Sequence, residues 1–194
     1  MNQLSLKQKW KLVFKISVLN ILGTPIIFLI FGLIVGFDDI LKDLKNYTRH
    51  RLDFFLPINQ FLTFFRSSAL VPAGLEEVEY RLLPWLFLIL VEPVIQIWKS
   101  KYKTRSNFFI IRLLIELSCL LIIWVPFIIG NYFWTLTHSS KFNLILPIVF
   151  FTGLTWSWLI IKTKDWQLAV VAHILANISI YFFIKIFLLF GYKI

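Results

Sequence analysis

Five stretches of this chain, at 12–37, 72–98, 107–130, 142–161 and 167–190, stay apolar over the length of a membrane span. Crossing a bilayer as a helix takes about 20 mostly apolar residues. Hydrocarbon offers the backbone no partner, so each run must close its own hydrogen bonds as a helix. The expectation is an all-α fold: a polytopic membrane helix bundle of about five to six transmembrane helices, in one integral membrane domain covering 1–194. Composition agrees, with 59% of residues hydrophobic, 15% charged and a mean hydropathy of +0.79. A single soluble domain could not hide this much Phe, Trp, Leu and Ile from water. Two segments are less definite. Residues 54–71 carry Pro57, Asn59, Gln60 and Arg66 and read as a sixth span or an interfacial helix. Residues 131–141 are either the end of the preceding helix or a separate short piece.

The net charge of +10 is placed beside the apolar runs: Lys7, Lys9, Lys11 and Lys15; Lys99, Lys101, Lys103 and Arg105; Lys162 and Lys164. Short basic segments flanking spans are the positive-inside signal and meet anionic headgroups. Nucleic acid is not an expected partner, since no binding motif accompanies the charge. With a cytoplasmic N-terminus, five spans put 99–105 and 162–165 on the cytoplasmic side and the Asp-containing 38–53 loop outside. Six would place the Lys99–Arg105 cluster outside, so charge favours five. The first apolar stretch is too long for a signal-peptide core and reads as a retained span. The expected location is the cell membrane, as a multi-pass protein. Cys119, the only cysteine, excludes an intrachain disulfide and any cysteine-based metal cluster.

Ionisable groups within spans cost on the order of 2.5–3.5 kcal/mol each on insertion scales, so each needs a reason. The stretch "GLEEVEYRLL", 74–83, holds Glu76, Glu77, Glu79 and Arg81. As plain structure it is a polar helix start, with Glu77 and Arg81 in the favoured i,i+4 order. Trp134 and His138 share a helix face, with Asn131 seven residues before the histidine. His173 and Asn177 sit one i,i+4 step apart on an otherwise apolar helix, about 13 Å past Lys164. They must meet a polar partner or a water-filled cavity there. Arg112 with Glu116, Glu92 and Asn20 read as packing and helix–helix contacts.

Taken together, Glu76 and Glu77, His138, and His173 with Asn177 make a chemical set drawn from three helices. A carboxylate and an imidazole can position and deprotonate a water. A second imidazole and an amide can stabilise the oxyanion formed when that water attacks a carbonyl. Two His and a carboxylate are also the ligand set of many zinc peptidases, so a divalent metal such as zinc stays open, although no cofactor is favoured. The chain has no H-E-x-x-H, no G-x-S-x-G, no paired transmembrane aspartates and no P-loop.

Three motifs, in order, resemble those of the CPBP (Abi) intramembrane proteases, relatives of the type II CAAX prenyl endopeptidases. "EEVEYR" is similar to that family's E-E-x-x-x-R, "WTLTH" to its F-x-x-x-H and "HILAN" to its H-x-x-x-N. The lead-in from Gly153 through Lys162 and Thr163 also resembles the family's approach to the last motif. The likeness covers about 70–180, which would be the protease core. It implies an intramembrane endopeptidase acting on a peptide or membrane-protein substrate. Glu76 would act with His138 on water, His173 and Asn177 would form the oxyanion side, and Glu77, Arg81 and Trp134 would support them, without a metal. Trp134 replaces the usual Phe, Tyr80 a common Phe, and Leu82 a frequent Gly. The alternatives are a non-catalytic membrane scaffold or bacteriocin-immunity protein with the same fold, and a proton-coupled carrier. One full span between His138 and His173 would leave them at different depths, so convergence demands a shifted boundary or a short, tilted or broken segment.

Overall fold

A computed structural model describes residues 4–39, 42, 52–103, 109–138 and 145–189. Much of the expected 38–53 loop, residues 104 and 105 of the basic cluster, residues 107 and 108, the expected start of the fourth span at 142–144 and residue 190 lie outside the described residues. Among those described there is no strand. Five long helices carry the fold: α1 (Leu6–Val35), α2 (Val71–Lys103), α3 (Phe109–His138), α4 (Ile145–Thr163) and α5 (Gln167–Leu189). All five belong to helical runs long and apolar enough to cross a membrane. This is an all-α membrane bundle.

The first helix starts on a capping box. Ser5 Oγ accepts from the Gln8 N–H at 3.3 Å and Gln8 Oε1 accepts from the Ser5 N–H at 2.8 Å, which satisfies two end donors reciprocally. The 54–71 segment is not a separate span. After a first 3₁₀ turn (Leu52–Phe55), a second (Ile58–Gln60), one α-turn (Phe61–Phe64) and a π-helical stretch (Phe65–Leu70) run unbroken into α2. Pro57 can donate no backbone hydrogen bond and sits between the two 3₁₀ turns. Just before the π stretch, Phe64 stacks on Tyr181 of α5 at 4.1 Å between ring centroids.

Residues 131–138 prolong α3, so that helix ends eight residues beyond the 130 expected from hydropathy. Asn131, Trp134 and Thr135 are buried in this extension. Their polar atoms lowered the apparent hydropathy of a segment that neighbouring helices enclose.

The centre of the bundle is α4, packed against all four other long helices. Half of its apolar window is buried, against 11–28% for the others. Trp156, Leu159 and Ile160 of α4 meet Val13 and Ile16 of α1, Leu88 of α2, Phe127 of α3 and Leu168, Ala169 and Ala172 of α5. At one end Lys9 pairs with Asp165 at 3.3 Å, and Lys164 with Glu92 at 2.7 Å. The start of α1, the turn between α4 and α5, and the second half of α2 therefore lie together. Lys164 takes a left-handed φ of 59° in that turn. Its carbonyl accepts the Trp85 indole N–H at 3.0 Å, which helps hold this uncommon conformation. Asn20 bonds Thr155 at 3.1 Å and the exposed Glu116 pairs with Lys99, both of them helix–helix contacts.

Candidate active site

Successive residues on a helix point about 100° apart, so Glu76 and Glu77 face different neighbours. Glu77 turns inward and is fully buried beside Arg81, whose Nη1 donates to Glu77 Oε1 at 2.6 Å. The i,i+4 spacing gives this ion pair its geometry. Arg81 Nη2 donates to Asn131 Oδ1 at 3.1 Å, and Asn131 Nδ2 donates to the Phe150 carbonyl at 2.7 Å. The guanidinium also lies over the faces of Trp134 and Trp156, at 4.7 and 5.2 Å. Here α4 must come close. A Cβ on Gly153 would collide with Asn131 Oδ1 and would lie 2.7 Å from Arg81 Nη2 and Trp134 Cζ3.

His173, on α5, approaches the same carboxylate. Its Nδ1 lies 3.0 Å from Glu77 Oε1. An ionised carboxylate only accepts, so Nδ1 carries the proton. The opposite nitrogen, Nε2, then faces Glu76 Oε2 at 3.6 Å. Trp156 stacks on the His173 ring at 4.1 Å and fixes its plane. His138 repeats the pattern from the end of α3. Its side chain folds back toward the helix N-terminus, as helical side chains do, and Nδ1 reaches the Trp134 carbonyl at 2.9 Å. That carbonyl also requires a protonated Nδ1. Nε2 is thereby turned to Glu76 Oε2, 3.9 Å away. Trp134 closes the arrangement, donating its indole N–H to Glu76 Oε2 at 2.7 Å.

One oxygen, Oε2 of Glu76, is therefore faced by two imidazole Nε2 atoms and by an indole N–H. The depth mismatch implied by hydropathy is resolved by the longer α3 and by the fold-back of His138. Glu76, His138, His173, Glu77, Arg81 and Trp134 come together. Asn177 lies one turn past His173, where Nδ2 donates to the Ser68 carbonyl in the π-helical stretch at 3.3 Å. It shares with His138 and His173 the wall of a cavity of about 490 Å³ bounded by α1, α3, α4 and α5. Glu79 is exposed on another face of α2. Glu92 is taken up by Lys164.

Among the described residues no group of three or more His, Cys, Asp or Glu side chains is arranged to hold a metal ion. Two members of the site went without a role in the sequence. Asn131 was detectable, since 131, 134, 135 and 138 form one polar stripe on an apolar helix. Trp156 was not, because nothing separates it from the other seven tryptophans. No protein-family model, curated protein or solved structure matches this chain, and the site is read from its own chemistry.

Proposed function

We propose that this membrane protein is an intramembrane endopeptidase that hydrolyses a peptide bond in a membrane-associated or peptide substrate, as the CPBP-like motifs imply. The observation that carries the reading is the meeting of Glu76, His138 and His173, from three helices, next to a cavity that the two histidines line. Glu76 takes a proton from a water whose oxygen attacks the scissile carbonyl. His138, with Nδ1–H spent on the Trp134 carbonyl, offers its Nε2 lone pair to orient that water. The new C–O bond places negative charge on the former carbonyl oxygen. His173 Nε2–H, present when the ring is protonated, and the Asn177 amide stabilise that charge. Collapse of the oxyanion breaks the C–N bond, and the proton held by Glu76 passes to the departing nitrogen.

The cell membrane is the proposed location, with the basic face formed by Lys9, Lys162 and Lys164 on the cytoplasmic side. A non-catalytic scaffold or immunity protein is the second reading, favoured by the wholly buried Glu77–Arg81–Asn131 network, which serves packing alone equally well. Purified protein and a peptide library separate the two. Loss of the general base in Glu76→Gln is expected to lower cleavage about 10²–10⁴-fold. Equal cleavage by wild type, Glu76→Gln and His173→Ala overturns the mechanism, and no cleavage by the wild type favours the scaffold reading.

A further inference from the structure

We infer that the cleft between α1 and α5 receives an apolar, extended segment of the substrate polypeptide from the lipid, and that α1 is its specificity wall. This rests on the endopeptidase reading and extends it to a helix outside the motif-bearing core. The two helices start together, with Val13, Ile16 and Ser17 of α1 and Leu168, Ala169 and Ala172 of α5 all buried. Beyond Asn20, which is tied to Thr155, they part. A Cβ at Gly23 would meet nothing within 4 Å. Ile21 and Leu22 on one side and Phe182 and Ile186 on the other line the cavity, yet are 40–60% exposed. The mouth of the cavity is therefore on the outer face of the bundle, and its inner end is at His138 and His173.

The lining decides the class of occupant. A lipid acyl chain needs no hydrogen bond. A peptide entering hydrocarbon brings N–H and C=O groups that must be satisfied. Asn20, Thr24, Thr152 and Asn177 set amide and hydroxyl groups among the apolar walls of this cavity. The volume of about 490 Å³ lies within the range of small-ligand pockets. Apart from the two histidines no ionisable side chain among the described residues lines it, so a charged residue in the bound segment would find no partner among them.

The test uses the full chain in phosphatidylcholine nanodiscs with two photoreactive probes. One is a leucine-rich peptide carrying a diazirine leucine. The other is a phosphatidylcholine carrying a diazirine in its acyl chain. The expected result is peptide labelling of Ile21, Leu22 and Phe182, cut about tenfold by Thr24→Trp, which fills the cleft. Labelling of these positions by the lipid probe and not by the peptide overturns the inference. The wild-type label map decides this even if Thr24→Trp fails to fold. Cleavage of the same peptide is read separately. Cleft labelling without cleavage supports the cleft and overturns the endopeptidase reading, whereas cleavage without cleft labelling overturns the cleft alone.

Discussion

His173 bonds Glu77 Oε1 through Nδ1 at 3.0 Å, on the same oxygen that takes Arg81 Nη1 at 2.6 Å. One buried atom thus joins the imidazole of the site to the guanidinium that anchors α2 against α3. Glu77 acts through His173, as a positioning residue. It keeps a proton on Nδ1 and aims Nε2 at Glu76. The neighbouring carboxylates divide the work, Glu76 facing the reacting water and Glu77 holding the frame.

Removing Glu77 alone leaves Arg81 charged and buried, with Asn131 and two tryptophan faces but without the carboxylate it is bonded to. Glu77→Ala is expected to cost about 3–5 kcal/mol, as for other broken buried pairs. The double variant Glu77→Leu/Arg81→Met removes both charges and is expected to recover most of that loss while remaining inactive. Thermal unfolding in detergent micelles checks the order. Equal stability of the single and double variants would show that the pair is not coupled.

Gly153 and Gly23 make a matched contrast. Alanine at 153 must push aside Asn131 Oδ1, Arg81 Nη2 and Trp134 Cζ3, whereas alanine at 23 meets open space. Gly153→Ala is expected to destabilise by about 1–3 kcal/mol through overpacking and to abolish cleavage by displacing Arg81. Gly23→Ala is expected to be neutral or stabilising by up to about 1 kcal/mol, the helix-propensity gain over glycine. Chemical denaturation of both variants in the same micelles measures the difference.

Hydropathy revealed the helices because lipid-facing residues must be apolar whatever else they do. It failed where polar atoms are enclosed by protein. The last two turns of α3 read as a boundary because Asn131, Thr135 and His138 dilute the pattern, although Asn131 and Thr135 are satisfied inside the bundle. The 54–71 region read as a possible span or surface helix because composition cannot report a π-helical stretch. That conformation is selected by Phe64 on Tyr181 and by the Asn177–Ser68 bond, contacts spanning more than a hundred residues of sequence. Spacing alone gave the Glu77–Arg81 pair, since both lie on one helix. The approach of His138 and His173 to Glu76 depends on three helices and on the rotamer of His138, which no local pattern encodes.

Trp134 holds Glu76 by a charge-assisted hydrogen bond of 2.7 Å and packs against His138 and His173 with its ring. Trp134→Phe keeps an aromatic ring but removes the donor. A hydrogen bond to a charged group contributes about 1.5–3 kcal/mol, so kcat is expected to fall at least about tenfold, with KM changed less than about twofold. Steady-state kinetics on a cleaved library peptide give both constants. A change confined to KM would mean that Trp134 serves the substrate and not Glu76.

Asn177 has two possible duties, to hold the π-helical stretch through the Ser68 carbonyl and to stabilise the oxyanion. Asp53 separates them. Its Oδ2 accepts the hydroxyls of Ser67 and Ser68 at 2.9 and 2.5 Å, securing the same stretch without itself lining the cavity. Asp53→Ala should therefore reproduce whatever part of the Asn177→Ala effect comes from loosening that stretch. Both variants are expected to lose about 1 kcal/mol of stability, the net value of an ordinary hydrogen bond. Only Asn177→Ala is expected to lower kcat further, by about 10²–10³-fold, the scale of a lost oxyanion donor. Melting temperature and kcat measured on both proteins decide the matter. If Asp53→Ala lowers kcat as far as Asn177→Ala does, the amide is a tether and the oxyanion role falls.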